Sequence, residues 1–122
     1  LSETYTVSDG RFDLVILAGS TFPSVAGDCE FYPTDSDGAP FQLTGWTAKL
    51  QIRENPSTAA IIDIVPTVNT SANSVGFSLT PAQTSLLTKT DYLWAIELTE
   101  TATLKVLTLA RGQVEVTPEI VK

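Results

Sequence analysis

Several groups of side chains in this 122-residue chain have types suited to chemistry. Asp35, Asp37 and Gly38 form the Asp-x-Asp-Gly pattern that opens a calcium loop, where close carboxylates and a glycine turn wrap oxygens round the ion. Such a loop closes on a bidentate acid about twelve positions along. Trp46 stands at that point with no Glu nearby, so Asp35-Ser36-Asp37-Gly38 reads as a tight turn. Glu97, Glu100, Glu115 and Glu119 could supply the carboxylate pair of a glycosidase. That chemistry needs two acids across a cleft at a set separation, and outward positions on strands account for these four better. Cys29 could act as a nucleophile only beside a base. The chain has no histidine and no second cysteine, so Cys29 reads as a small buried hydrophobe. Trp46 and Trp94 could stack on sugar, but their phase in the flanking pattern points them inward, to a core. No catalytic residue, metal, cofactor or small-molecule substrate is expected.

The elements that position these residues are strands. In Trp46 to Arg53, Trp46, Ala48, Leu50 and Ile52 alternate with Thr47, Lys49, Gln51 and Arg53, the period of a half-buried strand. In Asp91 to Thr99, Tyr92, Trp94, Ile96 and Leu98 line one face. Phe12 to Ala18, Val25 to Tyr32, Ile61 to Val65 and Leu104 to Ala110 are further strand candidates. Val75, Phe77 and Leu79 make another inward row, as do Val114 and Val116. Thr67 to Ser74 reads as a polar loop, and its Asn69-Thr70-Ser71 as a plain loop sequence despite fitting a glycosylation acceptor. Gly112 reads as a kink or bulge, and Pro66 and Pro118 limit their strands. One short helical turn is signalled by Thr80-Pro81-Ala82-Gln83, with a capping Thr, Pro at the first helical position and Gln three residues after the cap. Leu86 and Leu87 after it are expected on the core. The spacing predicts an all-β antiparallel sandwich of about seven to nine strands, with a small barrel as the alternative that pattern does not separate. Residues 1–11 read as an N-terminal leader or arm and 12–122 as a single domain.

Composition excludes several classes. Hydrophobic residues make up 43% and charged residues 17%, with a formal net charge of −7. The apolar share is that of a globular protein and suffices for a core, which argues against wholesale disorder. Lysines and arginines are few and scattered, so neither nucleic acid nor an anionic membrane surface is an expected partner. No apolar run approaches the ~20 residues of a membrane helix. The N-terminus lacks the basic start and apolar core of a signal peptide. It opens on Leu1 and not Met, consistent with a missing initiator or a longer upstream part.

Two blocks carry a family resemblance. One is Asp35-Ser36-Asp37-Gly38-Ala39-Pro40 followed by Leu43-Thr44-Gly45-Trp46-Thr47-Ala48-Lys49-Leu50-Gln51-Ile52-Arg53. The other is Tyr92-Leu93-Trp94-Ala95-Ile96-Glu97-Leu98-Thr99 followed by Leu107-Thr108-Leu109-Ala110-Arg111-Gly112-Gln113-Val114-Glu115-Val116-Thr117-Pro118-Glu119. Their order resembles that of small virion proteins of tailed bacteriophages, related in pattern to the N-terminal domain of the phage baseplate upper protein. The resemblance implies an immunoglobulin-like sandwich, location in the virion, and no catalytic residues to carry over. Some members head a longer chain that ends in a fibre. This sequence stops at Lys122, which favours an adaptor, collar or decorating subunit over direct host binding, and the expected role is a tail or baseplate adaptor or fibre-attachment subunit. The alternatives are a capsid decoration (cement) protein and, from another class, a carbohydrate-binding module for host adsorption. The expected partners are other virion proteins and further copies of the chain. A sandwich leaves edge strands that pair with neighbours, so the leader and two loops are the expected contacts, at Ser2, Glu3, Tyr5, Val7, Arg11, Asn55 and Asn69.

Overall fold

The computed structural model describes residues 11–23, 30–34 and 38–118. In chain order the elements are β1 (Leu14–Leu17), β2 (Glu30–Phe31), β3 (Trp46–Arg53), β4 (Ala60–Ile64), β5 (Thr67–Asn69), β6 (Ser74–Gly76), α1 (Pro81–Thr84), β7 (Asp91–Glu100) and β8 (Val106–Thr117). The alternating runs become the centre of a five-stranded sheet in the order β1-β8-β7-β3-β4. β3 and β7 pair antiparallel from Trp46↔Glu100 to Arg53↔Leu93, which brings both inward rows to one face. A three-stranded antiparallel sheet, β2-β6-β5, covers that face. The fold is an all-β sandwich.

The core is what the period-two pattern requires. Ile16, Leu43, Leu50, Ile52, Val75, Ile96 and Leu98 have no exposed surface. Each such side chain contributes about 1.5–3 kcal/mol by leaving water. Trp46 packs edge-on against Phe41 with ring centres 5.2 Å apart, and Trp94 packs against Phe31 and Phe77. The capping box at α1 is complete. Thr80 Oγ1 accepts from the Gln83 backbone N–H at 3.2 Å, and Gln83 Oε1 accepts from the Thr80 N–H at 2.9 Å. Gly45 has φ +86, a turn conformation open to glycine at little cost.

The structure corrects five expectations. The sandwich is not wholly antiparallel, because β1 lies parallel to β8, from Leu14↔Val114 to Leu17↔Thr117. Alternation fixes which face a side chain takes but not the direction of the neighbouring strand. Thr67 to Ser74 is not a loop throughout but the β5–β6 hairpin. β5 exposes Thr67 and Asn69, and β6 is only Ser74, Val75 and Gly76, with a single large apolar side chain, so no apolar alternation marks either strand. Gly112 is no bulge and pairs in register with Trp94; the irregularity lies between Ile96 and Glu97, where Ala110 and Thr108 are their partners and Leu109 is the extra residue. Gly112 is needed for close approach, since a Cβ there would lie 2.2 Å from the Phe12 carbonyl oxygen. Leu86 does not join Leu87 in the core. It is 53% exposed against 2%, as adjacent residues leaving a helical turn point apart. Phe12 precedes the strand rather than opening it, and is half exposed. Val25 to Cys29, Asp35 to Asp37 and Glu119 lie outside the described residues.

Candidate docking surface

β1 forms one edge of the larger sheet. Its sequence is Leu-Val-Ile-Leu, and a strand turns successive side chains to opposite faces. Leu14 and Ile16 are therefore buried, while Val15 and Leu17 stand 63% and 48% exposed. Among the described strands β1 pairs only with β8, so its other side carries a line of backbone groups that no described strand pairs, of the kind another chain can join. No charge or proline interrupts these four residues. The opposite edge, β4, is guarded. Its Asp63 accepts from Gln51 Nε2 at 2.9 Å and lies 3.6 Å from Lys49 Nζ, and Pro66 follows it. Charge and proline are the usual means of blocking strand addition.

A pocket of about 240 Å³ lies by the chain leading into β1, lined by Phe12, Phe31, Tyr32, Pro33 and Leu109 among others. Phe12 meets Phe31 edge to face, with ring centres 5.6 Å apart. Tyr32 is mostly exposed, and its hydroxyl donates to Glu30 Oε1 at 3.2 Å. That hydrogen bond, then the charge of Glu30, then slight desolvation raise the phenol pKa above its ordinary 10.0. The edge strand thus offers backbone groups, two aliphatic side chains and an aromatic recess. An extended segment of another protein could pair with the first and seat side chains in the second and third.

Of the contact residues expected from the sequence, Arg11 reaches this surface. It bridges to Arg111, lines the recess and pairs with Asp13 at 3.3 Å. Asn55 and Asn69 do not join it. Asn55 lies between β3 and β4, and its Oδ1 accepts from the Ser57 N–H at 3.0 Å and the Ser57 hydroxyl at 2.7 Å. Asn69 Oδ1 accepts from the N–H groups of Ser71 and Ala72, both at 3.0 Å. Both amides build turns, in separate sheets. Ser2, Glu3, Tyr5 and Val7 lie outside the described residues, as do Cys29, Asp35 and Asp37. Glu97 and Glu115 are exposed on the open sheet face, as their strand phase requires. Val15 and Leu17 were not among the expected contacts, although four consecutive apolar residues in a strand must place two of them outward.

Trp46 and Trp94 are 8% and 2% exposed, so neither ring presents a face for sugar. Among the described residues no group of three His, Cys, Asp or Glu side chains could hold a metal ion. No helix there is long and apolar enough to cross a membrane. The chain matches no family model, and no curated protein shows significant similarity to it.

Proposed function

We propose that this chain is a structural subunit of a tailed-phage virion, an adaptor or fibre-attachment part of the tail or baseplate that works through protein–protein contacts. The observation that carries the docking role is the apolar edge β1, unguarded among the described residues, with Val15 and Leu17 exposed and an aromatic recess at Phe12 just ahead of the strand. Stable folds with one edge shielded and the other left apolar fit chains that meet a partner there. The placement in a virion rests on the resemblance of the two sequence blocks. No reaction is assigned to the chain in this reading. Its partners are neighbouring virion proteins and further copies of itself. A capsid decoration role uses the same edge, and the buried tryptophans disfavour a sugar-binding module built on them.

The test is incorporation. Val15→Lys with Leu17→Lys replaces two outward side chains and leaves the inward pair Leu14 and Ile16 untouched. The variant should fold, melting close to the unaltered protein, because substitutions of exposed side chains usually stay within ±0.5 kcal/mol each. Tagged unaltered chain should be found in purified phage particles, and the variant should be lost from them. Absence of the unaltered chain from particles, or undiminished incorporation of the variant, refutes the reading.

A further inference from the structure

On the outward face of the five-stranded sheet, β8 and its neighbours carry like-charged pairs that are unfavourable within one copy, spaced so that Arg111 of one copy can meet Glu115 of another. On β8 the outward positions run Arg111, Gln113, Glu115, all exposed. Arg111 bridges to Arg11, so cation stands beside cation. Glu115 stands directly opposite Asp91 on β7, so acid stands beside acid. Like charges in directly opposed positions of a sheet are destabilising. Asp13 offsets part of the charge on Arg11. Among the described residues no ion pair reaches Arg111, Glu115 or Asp91. The cationic pair and the acidic pair lie on opposite sides of Gln113, about 13 Å apart along the strand.

We propose that this face is an isologous interface, on which a second copy of the chain packs about a two-fold axis running across the strands at Gln113. Rotation about that axis lays β8 on β8 in opposite directions. Arg111 of each copy then faces Glu115 of the other, and both like-charged pairs gain counter-charges. Leu93, half-buried on the same row as Gln113, meets its own counterpart. Asp91 of the second copy falls over Ala95, whose small side chain floors a groove of about 340 Å³ also lined by Arg11, Leu93 and Arg111. Asp13 beside Gln113 and Arg53 opposite Leu93 share the central row and also meet their own counterparts, so these two like-charge contacts oppose the Arg111–Glu115 pairs. Each Asp13 keeps its ion pair with Arg11 and its bond from the Gln113 N–H, and each Arg53 guanidinium stays on the Gln51 amide oxygen and the Thr58 carbonyl. Strand spacing and length give the face a footprint of about 600–700 Å² per copy, close to the ~800 Å² per partner of a standard interface. Two-fold dimers are the commonest assembly, and each contact in them occurs twice. The net charge of −7 on each copy opposes approach at low ionic strength. At physiological salt the Debye length of about 8 Å screens that long-range repulsion more than it weakens pairs in contact. The proposal rests on the assembly role only for the premise that copies of the chain meet.

Sedimentation equilibrium at physiological salt tests it, on the unaltered chain, Arg111→Glu, Glu115→Arg and the double swap. The unaltered chain should dimerise. Each single reversal should raise the dissociation constant about tenfold or more, since it sets like charges face to face across the axis. The same reversals should hold or raise the melting temperature of dilute monomer, because each turns a like-charged neighbour pair into an opposite one. That opposition of sign separates a lost interface from a damaged fold. The double swap exchanges the two signs and keeps the pattern self-complementary, so it should recover most of the lost affinity. An unaltered chain that stays monomeric, single variants that dimerise undiminished, or a double swap no better than the singles would each overturn the interface. A chain that is monomeric in solution yet enters particles removes this interface and leaves the assembly role standing. A dimer that never enters particles keeps the interface and removes the virion role.

Discussion

Trp94 joins three parts of the molecule that are far apart in sequence. Its ring packs against Phe31 and Phe77 of the opposite layer, with centres 5.9 and 6.0 Å away. Its Nε1 donates to the Phe12 carbonyl at 2.7 Å, so the same side chain fixes the backbone just ahead of β1. The paired glycine, Gly112, lets that carbonyl approach, which a Cβ would forbid. Trp94→Ala therefore removes a large buried ring and leaves the Phe12 carbonyl without its indole donor. The expected loss is about 3–5 kcal/mol, read as a lower midpoint in urea with unchanged slope. A midpoint that hardly moves would place the ring outside the core. The sequence shows Trp94 to be inward through its alternation with Leu93 and Ala95. It does not show the bond to Phe12, because no periodicity links residues 82 positions apart.

At the scale of elements, legibility followed how much of a strand is buried. β3 and β7 are visible because one face of each is wholly apolar and the other polar. β5 escapes notice because it exposes Thr67 and Asn69 and holds only Val68 against the core, whereas β6 is announced only by Val75, the first of the inward row that continues through Phe77 and Leu79. The candidate surface was half legible. The run Leu14 to Leu17 announces a strand with two outward aliphatics, but its position at an edge depends on its parallel pairing with β8, a long-range fact. α1 was legible throughout because capping is local chemistry within four residues. That locality makes its energy testable. Thr80→Ala removes the acceptor for the Gln83 N–H and should cost about 1 kcal/mol, while Thr80→Ser should cost less because Ser caps as well. The helix is only four residues long, so its cap has little else to rely on. Beyond it, Thr84 is buried, and its Oγ1 accepts from the Gly19 N–H at 3.0 Å and donates to the Ser20 carbonyl at 2.9 Å. A cap variant as stable as the original would mean that this deeper anchor, and not the box, holds the turn.

The larger sheet joins the first and last of the described strands. β1 and the last residues of β8 pair across a hundred positions, Leu14 with Val114 and Ile16 with Val116, and β8 in turn pairs with β7 along its length. Closing so long a loop costs entropy that only the assembled core offsets. β1 should accordingly have no stability of its own and should unfold with everything else. Ile16 has no exposed surface, so Ile16→Ala should lower stability by about 2–5 kcal/mol and shift the entire transition. Tryptophan fluorescence and far-ultraviolet circular dichroism report different things here. The first follows the packing of Trp46 and Trp94, the second the strands as a set. For a single cooperative unit the two denaturation curves coincide, in the original and in the variant. If the edge strand instead peels away first, dichroism in the Ile16→Ala protein will begin to fall while the indoles remain buried. That outcome would make β1 a separable arm, and the docking edge would then be offered by a segment in equilibrium with its detached form rather than by a fixed wall of the sandwich.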